Sequence, residues 1–177
     1  CVVLLNLPEL TIRKTLASLP GVQRTVRFSP DSRWVASAGD DWVIRLWNVS
    51  SGKLVRSFEG HNASIYSLSF DLTGQLLASS SRNGEVRLWD TNTSRNLLTI
   101  AGHDPAIFDV CFSPDGESLA TAGEDTTVGL WDLAYYRRHI AGNLGYQVRR
   151  LESAGVKVPQ SDIKKAWAST QLRKHQG

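Results

Sequence analysis

Methionine is absent from this 177-residue chain, and cysteine occurs only twice, as Cys1 and Cys111. Two cysteines cannot make a disulfide framework, and they do not follow the ligand spacing of a metal site. The four histidines stand too far apart, with too few acids or cysteines beside them, to suggest one either. We therefore expect no metal and no cofactor. The missing initiator methionine leads us to expect the C-terminal part of a longer protein.

Long apolar runs are also missing. The apolar stretch at residues 1–7 is too short to span a membrane. It has neither the basic leading region nor the small-residue cleavage site of a signal peptide. We predict no membrane association and a cytoplasmic location. The chain also lacks a glycine-rich phosphate loop, a dinucleotide fingerprint and a kinase signature, which argues against nucleotide chemistry.

Charge is unevenly distributed along the chain. The net charge is +3 overall, but residues 1–132 carry −4 and residues 133–177 carry +7. An acidic body followed by a basic tail is an asymmetry that can reflect interaction with a partner. One interpretation is a solvated helical tail. The alternative is a tail that docks on an acidic partner or on nucleic acid.

The clearest positive feature is a heptapeptide that recurs with tryptophan at its fifth position. These residues are Trp47, Trp89 and Trp131, each 42 residues after the one before. A fixed period of this length, kept by a rare and bulky residue, indicates a repeat architecture. Within each period, short runs of β-branched and aromatic residues are separated by Gly, Pro, Asp and Ser. This layout predicts four short antiparallel strands per repeat.

The repeat register divides the chain into five parts. We predict a partial unit with the last two strands of a repeat at 1–21, complete units at 22–59, 60–101 and 102–140, and a basic helical extension at 141–177.

The extension is predicted from a change of period. Leu144, Val148 and Leu151 lie at i, i+4 and i+7, on one face of a helix. Residues 134–140, before the extension, could still provide the outer strand of the last repeat.

The motifs around the tryptophans resemble those of the WD40 family. Gly-His stands about 28 residues before Leu-Trp-Asp, with Phe-Ser-Pro-Asp-Gly between them, and the resemblance covers residues 1–133. It implies an all-β fold of antiparallel four-stranded propeller blades, here an open or partial propeller of about 3.5 blades. It also implies further repeats upstream of Cys1 and a non-catalytic scaffold for protein–protein interaction. The C-terminal segment resembles the extension of large bacterial WD-repeat proteins. In similar proteins a Ser/Thr kinase or another signalling domain lies upstream.

The most suggestive chemical group is the set His103, Thr121 and Asp125, which resembles a hydroxyl nucleophile with its base. The same positions are occupied one repeat earlier, and an active site is not needed in every repeat. In the WD40 family this set is a structural chain of hydrogen bonds from a turn carboxylate through His and Ser/Thr to the Trp indole. The positions that we assign to such tetrads are Ser37, Asp41 and Trp47; His61, Ser79, Asn83 and Trp89; and His103, Thr121, Asp125 and Trp131.

Two of the three tetrads depart from this pattern. Asn83 replaces the acid in the second repeat, and Leu19 replaces the histidine in the first. We therefore predict that the first repeat is the least rigid of the three.

Partner binding is expected on the loops beside the inner strands, which in the family line one face around the central channel. The candidates for contact with a protein or peptide are Arg24, Asp40, Trp42, Tyr66, Arg82, Phe108 and Glu124. Local packing between neighbouring repeats is an equally good explanation of these residues. A hydrolase-type enzyme using the channel is a weaker alternative, because the inner strands carry mainly apolar or small residues. Nucleic-acid binding is disfavoured by the acidic body.

Overall fold

The computed structural model describes residues 2–6, 11–17, 19–133 and 149–150 of the chain. In these ranges every regular element is a β-strand, and neighbouring strands of each sheet run antiparallel. Nothing in this part of the chain is a helix that could cross a membrane.

The strands form one two-stranded sheet and three four-stranded sheets, which we call the half-blade and blades 1, 2 and 3. The half-blade contains β1 (Val2–Asn6) and β2 (Thr11–Ala17). Blade 1 contains β3 (Gln23–Phe28), β4 (Trp34–Gly39), β5 (Ile44–Asn48) and β6 (Leu54–Phe58). Blade 2 contains β7 (Ile65–Phe70), β8 (Leu76–Ser81), β9 (Glu85–Asp90) and β10 (Asn96–Ala101). Blade 3 contains β11 (Ile107–Phe112), β12 (Ser118–Gly123), β13 (Val128–Asp132) and β14 (Arg149–Arg150).

Each blade is a meander, with its strands side by side in chain order. The turn between the second and third strands places its third residue at positive φ in every blade, at Trp42 (64°), Gly84 (75°) and Thr126 (63°). Only glycine adopts this conformation without steric cost. At Gly84 an added Cβ would also lie 2.1 Å from the carbonyl oxygen of His103, so blade 2 can accept no side chain there.

Apolar side chains between consecutive blades form the core. Strands β4 and β5 of blade 1 contribute Ala36 and Ile44, which pack with Leu68 and Trp89 of blade 2 in one buried cluster. A second cluster joins blades 2 and 3 in the same way. Complete burial of a side chain such as Ile44 contributes about 2 kcal/mol to stability.

The half-blade covers part of the opposite side of blade 1. Leu16 from β2 packs with Val35 and Trp47 in a third, smaller cluster. This position corresponds to Phe58, which packs edge-on against Trp89 one blade later with ring centroids 6.0 Å apart. An outer strand of one sheet thus supports the tryptophan of the next.

The last strand corrects one expectation. We predicted a helical extension at 141–177, but Arg149 and Arg150 pair as a strand with Asp132 and Trp131. The free edge of β13 presents unpaired backbone groups, and a strand satisfies them whereas a helix cannot. The helix prediction is wrong for these two residues. The remainder of 141–177, and the alternative outer strand at 134–140, lie outside the described residues.

Candidate functional site

In blade 3 the predicted tetrad residues form a continuous chain of hydrogen bonds. His103 Nδ1 lies 2.9 Å from both carboxylate oxygens of Asp125, and its Nε2 lies 2.7 Å from the Thr121 hydroxyl. That hydroxyl accepts a hydrogen bond from the Trp131 indole at 3.0 Å. Thr127 adds a hydrogen bond of 2.7 Å to Asp125. This series of hydrogen bonds gives partners to a buried indole N–H and to both nitrogens of a buried imidazole. Its role is therefore structural.

These contacts change the pKa of the Asp125 carboxyl. Burial raises its pKa, but hydrogen bonds from Thr127 and His103 outweigh that effect and hold the pKa below its usual value. The carboxylate therefore stays ionised and remains an acceptor for the imidazole.

Blade 2 has the same connection without the acid. His61 Nε2 lies 2.7 Å from the Ser79 hydroxyl, which accepts from the Trp89 indole at 2.8 Å. His61 Nδ1 is buried and has no hydrogen-bond partner. Burial, with a smaller contribution from the nearby charge of Arg87, lowers the pKa of His61 from 6.5 to about 3. The imidazole is therefore neutral at physiological pH.

Asn83 is not part of this tetrad, contrary to our assignment. Its carbonyl oxygen accepts from the Ser81 hydroxyl at 2.5 Å, and its amide nitrogen donates to Asn62 at 2.7 Å. The amide thus bonds within its own turn and to the loop before β7. This leaves His61 without a second partner.

Of this series of hydrogen bonds, blade 1 retains only the bond between the hydroxyl and the indole. The Trp47 indole donates to the Ser37 hydroxyl at 3.0 Å. Leu19, at the histidine position, packs against the small cluster around Trp47. Asp41 pairs instead with Arg45 at 2.5 Å, and its second carboxylate oxygen is buried without a partner.

These tetrads do not offer a catalytic site. The His103 side chain is fully buried, and Thr121 is buried beside it. A nucleophile must reach its substrate, whereas this hydroxyl lies inside the blade and is engaged by an indole. The described residues also hold no group of three or more His, Cys, Asp or Glu that could bind a metal ion.

A different set of predicted residues lies at the start of the inner strands. In β3, β7 and β11 the pairing register skips one residue, which is Arg24, Tyr66 and Phe108 respectively. A β-bulge of this kind redirects a side chain out of the regular alternation of the strand. The same device therefore presents an equivalent residue in each of the three blades.

The three bulge residues make a row that crosses the blades. The Arg24 guanidinium bonds to Asp40 through two nitrogens, with Nη2 at 3.0 Å from Oδ2. The same guanidinium lies 5.2 Å from the centre of the Tyr66 ring. Tyr66 stacks on Phe108, with 6.0 Å between ring centroids and an interplanar angle of 25°. We call Asp40, Arg24, Tyr66 and Phe108 the rim row.

The ion pair at one end of the row is electrostatically well matched. The hydrogen bond from Arg24 is the main cause that lowers the pKa of Asp40, with Ser64 and the charge of Arg82 acting in the same direction. The hydrogen bond to Asp40 in turn raises the pKa of Arg24. The carboxylate therefore neutralises and orients the guanidinium, which leaves the ring stack as the exposed apolar part of the row.

The other three predicted partner-binding residues are Arg82, Trp42 and Glu124, and they are not members of the rim row. Arg82 acts on Asp40 through its charge. Trp42 is 47% exposed, in the turn that follows Asp40. Glu124 is exposed, and its backbone N–H donates to Ala106 at 2.8 Å.

Asp109 is a residue that sequence reasoning missed. It follows the bulge of β11, and its carboxylate accepts from the Ser67 hydroxyl of blade 2 at 2.5 Å. It also accepts from the backbone N–H of Val110 at 2.9 Å. The equivalent residues in blades 1 and 2 are Thr25 and Ser67. An acidic residue at a position where the other two repeats have a hydroxyl was the sequence signal that could have identified Asp109. Asp109 ties blade 3 to blade 2 beside the rim row.

The repeated meander sheets, packed face to face with their inner strands adjacent, define the chain as a β-propeller-type protein, present here as an open partial propeller. The family model described as "WD domain, G-beta repeat" matches residues 13–48, 52–90 and 94–132, well over half of the chain. The chain belongs to the WD40 family. Each match begins in the outer strand of one sheet or in the turn just before it, and ends in the third strand of the next sheet. The predicted WD40 family and the predicted all-β fold of antiparallel four-stranded blades are thereby confirmed.

Several curated proteins are similar over one or two repeats. The general transcriptional corepressor TUP1 of Saccharomyces cerevisiae is 40% identical over 47 residues, which cover 27% of this chain and 7% of that protein. The small ribosomal subunit protein RACK1z of Arabidopsis thaliana is 42% identical over 59 residues, which cover 33% of this chain and 18% of that protein. Each alignment thus covers only a small part of the relative.

Solved structures support the fold. The chain resembles the structure of U3-55K with a TM-score of 0.66 and 24% identity, over 68% of this chain and 39% of that one. The RRP9 WD40 repeats give a TM-score of 0.65 at 24% identity, over 68% and 38% of the two chains. At this level of identity the likeness concerns architecture alone.

Proposed function

We propose that this chain is a non-catalytic scaffold that binds a protein or peptide partner at the rim row. The observation that carries the proposal is the continuous arrangement of Asp40, Arg24, Tyr66 and Phe108 across three blades. Its end residue, Phe108, is 52% exposed. Aromatic and arginine side chains are the residue types that most often dominate binding energy at protein interfaces.

The row is preorganised for recognition. Arg24 is held by Asp40 and stacks on Tyr66, so little side-chain freedom remains to be lost on binding. The stacked rings offer a flat apolar surface beside a charged pair. A matching partner would insert an aromatic, aliphatic or proline side chain against Phe108 and direct polar groups toward the ion pair.

The relatives' names are consistent with this role. One relative is a transcription initiation factor TFIID subunit from Caenorhabditis elegans, 36% identical over 52 residues, and another is a small ribosomal subunit protein. Both names describe members of larger assemblies. We propose the same kind of role for the longer protein to which this chain would belong, with further upstream repeats, a signalling context and a cytoplasmic location.

The test is selection of peptides from a random-peptide phage library on the immobilised chain. We expect enriched peptides to lose at least about tenfold in affinity for a Tyr66→Ala/Phe108→Ala variant, as expected for hot-spot residues. The matched control is Leu72→Ser, which alters another exposed apolar residue, in the turn between β7 and β8. Equal binding to both variants would exclude the rim row as the site.

A second candidate function is suggested by the charge of +7 on residues 133–177. This segment could bind an acidic partner or nucleic acid. Phosphate contacts make binding steeply salt-dependent. A titration with duplex DNA at several salt concentrations tests the idea, and an absence of salt-dependent binding would remove it.

A further inference from the structure

The negative charge of the repeats is concentrated in blade 3. Residues 101–133 hold seven Asp and Glu and no Lys or Arg, which gives a net charge of −7. By contrast, residues 22–59 hold six basic and four acidic residues, and residues 60–100 hold three of each. A local excess of one sign attracts groups of the opposite sign and repels groups of the same sign.

One end of the rim row lies on this acidic blade. Phe108 is 52% exposed, and the next residue along β11 is the exposed Asp109. Asp104, in the loop before β11, and Glu124, in the turn after β12, are exposed as well. The hydrogen bond of 2.8 Å from the Glu124 backbone N–H to Ala106 places that turn beside that loop. The exposed ring therefore lies at an edge of the blade that carries three exposed carboxylates.

The two arginines of β14 join blade 3 at its other edge. Arg149 and Arg150 pair through the backbone with Asp132 and Trp131, at the end of β13. Glu124 precedes the start of β13, at the opposite end of that strand. The paired backbone of β14 is thus remote from the edge that carries Phe108.

Blade 1 shows what a carboxylate at the position of Glu124 can do. The repeat equivalent is Asp40, whose backbone N–H makes the corresponding cross-strand hydrogen bond at 2.9 Å. From that position its carboxylate holds the guanidinium of Arg24, the residue equivalent to Phe108. The same guanidinium lies over the ring of Tyr66. The chain therefore contains its own example of an arginine held between a turn carboxylate and an aromatic ring.

We propose that blade 3 binds an arginine side chain of the partner, with the guanidinium stacked on Phe108 and paired with Glu124. The inference rests on the proposed function and supplies the ligand chemistry of the rim row. Blade 1 provides the cation itself, as Arg24, whereas residues 101–133 contain no Lys or Arg that could pair with Glu124. The partner supplies what the blade lacks.

Arginine suits this edge better than other side chains do. Its guanidinium is planar, stacks on aromatic rings and pairs with a carboxylate at the same time. An acidic side chain would be repelled by the charge of the blade, and a neutral one would leave Glu124 without a counter-charge.

The test uses peptides that the full chain selects from the random-peptide phage library. We expect the enriched sequences to share an arginine. A synthetic peptide of the most enriched sequence should lose at least about fivefold in affinity when that arginine is replaced by glutamine. The same replacement should matter less in a Glu124→Gln chain, because the two groups form one ion pair. Fluorescence anisotropy of the labelled peptide measures all four combinations.

Glu117→Gln is the matched control. Glu117 is an exposed acid of the same blade, in the turn between β11 and β12, at the opposite edge from Glu124. The substitution changes the net charge by the same amount and should leave the affinity of the peptide unchanged. Circular dichroism of both variants checks that each still folds.

The outcomes separate this inference from the proposed function. Equal losses in Glu124→Gln and Glu117→Gln would indicate general attraction to the acidic blade and would overturn the arginine site. Enriched peptides that depend on Tyr66 and Phe108 but share no arginine would overturn it too, and would leave the proposed function intact. Peptides whose binding does not depend on the two rings would contradict the proposed function itself.

Discussion

In each blade a single hydroxyl group accepts a hydrogen bond from the indole of the buried tryptophan. Thr121 serves two partners, the Trp131 indole and the His103 imidazole, whereas Ser37 has only the Trp47 indole. The value of a hydroxyl at this position therefore depends on which residue the repeat has at the histidine position.

The first prediction compares these two hydroxyls. Thr121→Val leaves an indole N–H and an imidazole nitrogen unsatisfied, and should lower the free energy of unfolding by about 3 kcal/mol. Ser37→Ala leaves only one indole N–H without a partner and should lower the free energy of unfolding by about 1–2 kcal/mol. Urea denaturation of both variants is the measurement. Equal losses would show that the histidine contributes nothing through the hydroxyl.

The second prediction concerns pH. The folded-state pKa of His61 is lowered to about 3, so between that value and 6.5 the unfolded chain binds a proton that the folded chain does not. Stability therefore falls as pH falls, by about 1.4 kcal/mol from this group between pH 7.5 and pH 5.5. The loss should be smaller by that amount in His61→Gln. Parallel denaturation curves at the two pH values check it, and an identical loss in both proteins would contradict it.

At the scale of the strand, the residue paired with the tetrad hydroxyl differs between the blades. Arg45 and Arg87 occupy the third strand in blades 1 and 2, opposite Ser37 and Ser79 in the register. Blade 3 has Gly129 opposite Thr121. A Cβ at Gly129 would lie 2.5 Å from the Thr121 hydroxyl oxygen and 2.9 Å from the Trp131 indole nitrogen.

The third prediction is a double-mutant cycle at this pair. Gly129→Ala should destabilise the fold by about 2 kcal/mol through overpacking. Adding Thr121→Ser should recover much of that loss, because serine lacks the second branch that restricts threonine at χ1. Thermal unfolding of both single variants and the double variant measures the coupling. Simple additivity would mean that the two positions do not constrain each other.

The fourth prediction addresses the incomplete tetrad of blade 1. Leu19→His would place an imidazole near the Ser37 hydroxyl and the unpartnered oxygen of Asp41. We expect stability to rise by about 1 kcal/mol and amide exchange in β4 and β5 to slow. Leu19→Gln, which lacks the imidazole geometry, is the control. In the unsubstituted chain, slower exchange in residues 36–47 than in 120–131 would contradict our prediction that blade 1 is the least rigid.

At the scale of the whole molecule, apolar clusters join blade 1 to blade 2 and blade 2 to blade 3. Each blade is therefore stabilised by the blade beside it, because the apolar side chains of one blade are buried against those of the next.

The repeat period predicted the strands, because a buried tryptophan and its turn residues recur at a fixed spacing. The family was inferred from the resemblance of the recurring motifs to WD40 repeats, and that resemblance also implied the tetrad positions. The assignment of Asn83 to a tetrad was wrong. Its position matched the acid, but its amide bonds with Ser81 and Asn62, and only three-dimensional proximity decides between such partners.

The sequence by itself determined the strand pattern, the buried tryptophans and the likeness to WD40 repeats, because these depend on local spacing and hydrophobicity. The tertiary structure decided that the bulges bring Arg24, Tyr66 and Phe108 into one row. It also decided that Val26 and Val128 are exposed while their equivalents are buried. Both outcomes depend on which neighbour covers a residue, and a repeat that looks the same in sequence can have a different neighbour at each end of the chain.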